Sequence, residues 1–425
     1  MYISNRFNSI NRYKNIQIAS IYICILLYIA IQPIVRVLNY IGINISIKKP
    51  IIVSFFMLLY VLVSLLLKDK NIIKRYWKPT LILLIIILIY IFAYSYVKEY
   101  GSVLIQQDEG FEISTSKNVY INFIKDNLVY YVLFALIGIN INHLEEYMKK
   151  KSIKKINNFL YVSLILSFLI LCYVKKIGLT STMFNADLDN GYYLYIGDSF
   201  ALFSIFIFKS IKNKELFLLN SLFWLYKIGS RTALVCFIIF FIVNFIITFI
   251  SRGCLLKMNL MKYLIIIPAV VFILGFNDGI NLDSRMLSVF NIQSIENDNS
   301  YTSRDIINEE NINDLKNIWL TGKVFRELEL HGRYGFYSHN ILSYWMQFGI
   351  IPFILIIFNI IILVFRIIKD ILRDNYKEIE LITGWTIFLL PEVLFSRSYT
   401  YPYIWMLIFF TISIKYSSKF KKNYS

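Results

Sequence analysis

Asn340 to Phe365 reads NILSYWMQFGIIPFILIIFNIIILVF, and the basic residues Arg366, Lys369, Arg373 and Lys377 follow it. A helix rises 1.5 Å per residue, so an uncharged run of this length spans the roughly 30 Å hydrocarbon core of a bilayer. The basic flank marks a segment that stops at a membrane surface. The same pattern recurs along the chain. The first six expected spans cover approximately 17–38, 50–67, 79–97, 119–142, 158–174 and 193–209; the second six cover 215–228, 231–250, 263–279, 340–365, 381–397 and 402–416.

With 57% hydrophobic and 17% charged residues among 425 and a mean hydropathy of +0.59, the chain carries more apolar surface than a soluble domain can use. A soluble α/β enzyme is excluded. The expected fold class is all-α: a polytopic integral membrane protein of about 12 transmembrane helices. Residues 1–425 read as one helical domain without an internal repeat, and 280–339 form one long external loop between spans 9 and 10. Loops of that length carry function more often than they merely connect.

The formal charge of +17, from 44 Lys and Arg against 27 Asp and Glu, suits either nucleic acid or basic cytoplasmic loops, and its distribution decides. With the N-terminus inside, 27 of the 44 cations fall on the inner side, including five in 68–78 and five in 143–157. Of the other 17, six lie in the long loop, which escapes the positive-inside rule. Both termini are therefore expected to be cytoplasmic, with membrane lipid and not nucleic acid beside these charges. The run HLEEYMKKKSIKKIN, 143–157, reads as a solvated face touching anionic lipid. Cys24, Cys172 and Cys236 fall in spans and Cys254 in an inner loop, so no disulfide framework is expected. The first span has no small-residue cleavage site and reads as a retained helix.

Ionisable groups at membrane depth are costly and point to function. In GSRTALV, Gly229–Val235, Ser230 and Arg231 join two apolar runs with almost no loop. A guanidinium there suits two phosphate oxygens at once; snorkelling to headgroups is the competing reading. In YTSRD, Tyr301–Asp305, Ser303 is a candidate N-cap and Arg304 opens a helix, which makes an anion site. A solvated loop arginine is the alternative. That helix is expected to be amphipathic through Ile306, Ile307, Leu315, Ile318 and Trp319, forming the active-site cover. In YSHNILSYWMQFGIIPF, Tyr337–Phe353, His339 stands where the loop re-enters the membrane on the side of Arg231. Its imidazole can take a proton from a sugar hydroxyl, with Asn340 orienting the ring or the hydroxyl; a structural interfacial histidine is the alternative. PEVLFSRSYTYPY places Glu392 and Arg397 near the outer end of the last hairpin, as walls of a carbohydrate cavity or as an ion pair. Lys125, Asp126, Asp198 and Lys227 are further polar groups within spans, read as pairs or caps. The sequence contains no P-loop, HExxH, CxxC pair or dinucleotide turn, so neither a cofactor nor a metal is expected and the substrate must arrive activated.

GSR at the outer start of a span, a long outer loop with SR before an amphipathic helix and a TG turn, then HN followed by FGIIPF, resembles the O-antigen polymerase and O-antigen ligase superfamily. The motifs cover about 195–365 and the topology the whole chain. Lys323 and Val324 stand where a second glycine is common after the TG turn. The resemblance implies a metal-independent glycosyltransferase at the outer face of the bacterial cytoplasmic membrane. Its donor and acceptor would be polyprenyl-diphosphate-linked (undecaprenyl diphosphate) oligosaccharides. By carry-over, Arg231 and Arg304 bind the diphosphate and His339 activates the acceptor. The product is then O-antigen or capsular polysaccharide, with a chain-length regulator and a flippase as partners. Ligase-type transfer to another acceptor is the nearest alternative. An oligosaccharide-lipid flippase is the alternative from another class; such transporters usually show two related halves and midplane substrate residues.

Overall fold

The structure, a computed structural model, describes residues 2–47, 49–66, 81, 84–89, 91, 114–178, 181–184, 192–252, 299–324, 326, 338–373 and 381–411. Among the described residues the regular structure is helical throughout, without a strand. The helices are α1 (Tyr2–Leu26), α2 (Gln32–Ile41), α3 (Lys49–Leu66), α4 (Ser114–Met148), α5 (Lys151–Val174) and α6 (Tyr192–Phe208). They continue as α7 (Lys214–Ile228), α8 (Arg231–Arg252), α9 (Asn299–Ile318), α10 (Leu342–Phe348), α11 (Ile350–Arg373) and α12 (Leu381–Phe395). Residues 403–411 are again helical and are called α13.

Among the described residues, four helical stretches are long and apolar enough to cross a membrane: Tyr13–Ile41, Asn127–Met148, Lys151–Val174 and Ile350–Leu372. Ile51–Val63, Tyr193–Phe208, Arg231–Ile247 and Leu381–Phe395 are shorter apolar helices. This is the build of an α-helical membrane protein. Of the third expected span only 81, 84–89 and 91 are described; the ninth span, Lys125 and Asp126 as side chains, and loop segments 280–298 and 327–337 lie outside the described residues.

Exposure along α11 explains why lipid is the solvent. Ile351, Ile354, Phe358, Ile361, Phe365, Ile368 and Leu372 are exposed at helical spacing, while Ile356, Ile360, Leu363 and Ile367 are buried. A helix apolar on both faces, with an outer stripe this long, is stable only against hydrocarbon. α5 repeats the pattern through Phe159, Val162, Leu166, Leu169 and Tyr173. By contrast α6 and α13 are buried nearly all round, from Ile196 to Phe208 and from Tyr403 to Phe410, and form the centre of the bundle. Close packing there rests on missing side chains: a Cβ on Gly138 of α4 would meet Met406 O of α13 at 2.7 Å.

Links between helix ends define two ends of the bundle. At one, Lys209 pairs with Glu145, Lys150 Nζ donates to Asn15 Oδ1 at 3.0 Å and Arg366 donates to Thr411 O. At the other, Lys227 donates to Gly178 O at 2.5 Å and Tyr131 Oη donates to Tyr399 O at 2.8 Å. The first long helix is interrupted by a π turn, Leu27–Ile31. Tyr195 Oη of α6 donates to Tyr28 O in that turn at 2.7 Å, which locks α6 to it.

The tenth expected span, 340–365, is two helices instead of one. Gly349 lies at φ +83 between α10 and α11, a region that favours glycine. The turn after α9 docks on this break: Lys323 N donates to Met346 O at 2.7 Å, Ile350 N to Leu320 O at 3.3 Å and Trp345 Nε1 to Trp319 O at 2.7 Å. Gly322, at φ +64, faces it; a Cβ there would meet Phe348 N at 2.8 Å, and one on Gly349 would meet Thr321 C at 2.7 Å. Gly322→Ala and Gly349→Ala should each cost about 2 kcal/mol or more, from left-handed strain plus backbone overlap. Gly42→Ala, at φ +100 with no atom within 4 Å, should cost about 1 kcal/mol. Melting curves of the detergent-purified variants check the order; equal losses at all three positions would show that the α9 turn does not dock there.

Candidate functional site

α7 ends at Gly229, whose left-handed φ of +82 turns the chain so that α8 begins two residues later at Arg231. Ser230, in the corner, is fully buried. Gly197 of α6 lies directly beneath it, since a Cβ on Gly197 would stand 2.8 Å from Ser230 Oγ. That small-on-small contact brings the next residue of α6, Asp198, to the same level. Lys227, 2% exposed, is spent on local structure: its ammonium holds Gly178 O and Ser181 O, and Met183 N donates to Lys227 O at 2.5 Å.

Asp198 meets Arg397 in a two-pronged pair, Arg397 Nε to Oδ2 at 3.0 Å and Nη2 to Oδ1 at 2.5 Å. On its other side Arg397 Nη2 stands 3.6 Å from Glu392 Oε1. Tyr401 Oη donates to Glu392 Oε2, and the guanidinium lies 5.7 Å from the Tyr401 ring centroid. All four side chains are buried, Glu392 completely. At membrane depth such charges persist only when paired and hydrogen-bonded. Two carboxylates share one arginine, so the ionised cluster carries one excess negative charge.

The chain beyond α12 connects this cluster to His339. The amides of Ser396 and Arg397 both donate to Glu392 O, at 3.0 and 2.8 Å, which closes the helix and releases residues 398–402 as a turn. Tyr399 N then donates to Ser343 Oγ at 2.8 Å, and Ser343 Oγ donates to Asn340 O at 2.8 Å. Ile341 N reaches Leu394 O at 3.4 Å, and Tyr344 Oη donates to Tyr401 O at 3.3 Å. Asn340 caps its own turn by accepting from Leu342 N at 2.9 Å. His339 is half-buried beside Asn340 at the start of this ladder.

The loop helix α9 turns an unexpected face to the protein. Ile306 and Trp319 are more than half exposed, whereas Asn311 is fully buried and Leu315 nearly so. The helix begins at Asn299, so Ser303 is not its N-cap and Arg304 lies in its second turn instead of at its start; half-buried, Arg304 shares the Asn311 side at helical spacing and stands about 20 Å along the axis from Ile318. Asn311 Nδ2 and Oδ1 and Asn308 Oδ1 are buried without a hydrogen-bond partner. A polar inward face with unmet hydrogen bonds suits a polar ligand better than a packed core. Arg326 clamps the helix end through Asp314, Nε to Oδ2 at 2.7 Å and Nη2 to Oδ1 at 2.9 Å. The Arg326 guanidinium bonded to Asp314 holds that carboxyl below the usual carboxylate range.

The structure therefore joins Glu392 and Arg397 through Asp198 to the Gly197–Ser230 contact, and through Tyr399 and Ser343 to Asn340; Arg231 follows Ser230 and His339 precedes Asn340 along the chain, while Arg304 lies on α9. Sequence reasoning flagged Asp198 and Arg397 separately without joining them. It passed over Tyr401, Asn308 and Asn311, and over Arg36, whose guanidinium stacks 4.2 Å from the Tyr195 ring centroid one turn from Asp198. A cation inside a proline-bearing span, as in Arg36, was the available signal. Among the described residues no group of three or more His, Cys, Asp or Glu could hold a metal ion. No protein-family model, curated protein or solved structure matches the chain.

Removing Arg397 leaves two buried carboxylates together, whereas removing the Asp198 charge leaves Arg397 with Glu392. Arg397→Met should therefore cost about 3–5 kcal/mol and Asp198→Asn clearly less, as read from thermal unfolding in detergent. The reverse order would mean that Glu392 does not share the arginine.

Proposed function

We propose that the chain is a membrane glycosyltransferase that polymerises polyprenyl-diphosphate-linked oligosaccharide repeat units into O-antigen or capsular polysaccharide. In this reading twelve spans cross the bacterial cytoplasmic membrane, both termini are cytoplasmic, and loop 280–339 covers an outward-facing site. The observation that carries it is the convergence, around the Asp198–Arg397 pair, of the Ser230–Arg231 corner on one side and the 338–344 ladder on the other. Those two segments bear the GSR and HN motifs of the resemblance.

The chemistry follows from residue types. The acceptor hydroxyl attacks the anomeric carbon of the donor repeat, and the bond from that carbon to the diphosphate oxygen breaks. The polyprenyl diphosphate leaves with the bonding pair, and the hydroxyl proton passes to the His339 imidazole. Arg231 and Arg304 stabilise the charge that develops on the leaving diphosphate in a site poor in water. The buried Asn308 Oδ1 and the buried Asn311 amide on the inward face of α9 offer hydrogen bonds to sugar hydroxyls. Asp198 and Glu392 fix Arg397 and so act as positioning residues.

His339→Ala in the native strain, at unchanged membrane abundance, should reduce the surface polysaccharide ladder to single repeat units displayed outside. Arg231→Lys and Arg304→Lys keep the charge but lose the two-pronged geometry, and should shorten the ladder with about 10-fold or greater loss of polymer. A normal ladder in His339→Ala would remove the histidine from the reaction. Full-length polymer that fails only to reach its final acceptor would indicate ligase-type transfer, and repeat units held on the inner leaflet in a deletion strain would indicate a flippase.

A further inference from the structure

At the end of the bundle opposite the Asp198–Arg397 cluster, a cavity of about 240 Å³ opens where α4, α5 and α6 meet. It is smaller than the roughly 300–1,000 Å³ that encloses a drug-sized ligand, and suits a single small headgroup. Lys149, Lys154 and Lys209 line it, with Glu145 as the one carboxylate and Phe206 as an apolar wall. Glu145 is already paired with Lys209. Two lysine charges in the lining, those of Lys149 and Lys154, have no carboxylate among the lining residues to balance them.

Asn157 makes this a built site rather than a patch of surface lysines. It is 1% exposed and lines the cavity. Its Oδ1 accepts from Tyr22 Oη at 2.5 Å, which orients the amide so that its nitrogen is the remaining donor. A side-chain amide carries two N–H donors besides that oxygen, and on a residue lining the cavity they can serve a ligand acceptor. Ammonium groups and an amide N–H are donors, and the complementary ligand offers acceptors and negative charge.

The position along α5 narrows the source. The lipid-facing stripe of this helix begins at Ile156 and Phe159, 45% and 71% exposed, immediately after Lys154. The cavity mouth thus lies at the depth where headgroups meet acyl chains. We propose that this cavity binds a phosphate group, that of an anionic phospholipid headgroup at the basic end of the bundle. The site is independent of the glycosyl-transfer reading.

The test uses the full-length protein in detergent, titrated with phosphatidylglycerol, with phosphatidylcholine or with inorganic phosphate. Lipid retention is followed by native mass spectrometry and unfolding by thermal melting. Wild type should retain phosphatidylglycerol in preference to phosphatidylcholine. K149Q/K154Q should weaken that retention about tenfold or more without moving the ligand-free melting midpoint. K151Q/K155Q removes the same charge from neighbouring positions that do not line the cavity and should change retention less than about twofold. Asn157→Leu should weaken retention while sparing the lysines. Displacement of the lipid by inorganic phosphate would show a shared phosphate pocket. Stabilisation by phosphate without lipid retention would assign the site to a soluble phosphate. Equal losses in the two lysine doubles, or phosphatidylcholine held as well as phosphatidylglycerol, would overturn the proposal.

Discussion

Arg397 is a permanent charge inside an apolar bundle, and its demand for partners organises the rest of the candidate site. Water cannot solvate it there, so its donors must end on protein acceptors. Asp198 supplies two of them from α6, 199 positions away in sequence, at 3.0 and 2.5 Å. A bidentate pair tolerates little sliding, so it fixes the register of α12 against α6. α8 packs against both helices, and the Gly197–Ser230 contact sets its height. The turn after Arg397 then carries Tyr399 to Ser343, which places the segment that begins at His339. One electrostatic requirement thus reaches four chain segments.

The same requirement explains why glycine appears where it does. A bundle without water gains little from the hydrophobic effect between helices and depends on close approach. Gly138 lets α4 touch the backbone of α13, and Gly197 lets α6 meet the α7–α8 corner. Gly322 and Gly349 serve a different end. They let an irregular turn, whose backbone groups need partners, exchange hydrogen bonds with the break between α10 and α11, so that non-helical chain near the membrane is satisfied by protein.

Much of the helical layout was legible because lipid leaves a strong mark. The expected spans at 50–67, 193–209, 215–228 and 231–250 fall on α3, α6, α7 and α8 within about two residues. The break at Gly349 was not legible. Asn340 to Phe365 is uninterruptedly uncharged, and a lone glycine in such a run marks either a tolerated helix residue or a kink. Position 349 is settled by the partner turn 320–323, which lies outside the run. Asp198 and Arg397 were each visible as misplaced charges, yet pairing over 199 residues is a property of the fold. The orientation of α9 was misleading for a physical reason. Periodicity looks for an apolar inward face, and here Ile306 and Trp319 point outward while Asn311 is buried. A helix that buries an asparagine on its inward side inverts the rule on which the reading rests.

Apart from Arg366, which bonds Thr411 O at the basic end, the two ends of the bundle lean on different cations, and the difference is chemical. At the Asp198 end the charges that organise structure are arginines in fixed geometry: Arg397 forked onto a carboxylate and Arg36 stacked on Tyr195. A planar guanidinium loses little freedom for each hydrogen bond made and keeps its charge when desolvated. At the opposite end Lys149, Lys150, Lys151, Lys155 and Lys209 are exposed, and a flexible, strongly hydrated ammonium is suited to anions that exchange at a surface. Lysines also serve the Asp198 end: Lys49 lies 5.2 Å from the Tyr195 ring centroid, and Lys227 is buried against carbonyl oxygens, where it ties Gly178, Ser181 and Met183 to α7. A rigid, paired end and a loose, basic end are what a protein requires if one face must hold reacting groups in register while the other rests on a sheet of mobile phosphates.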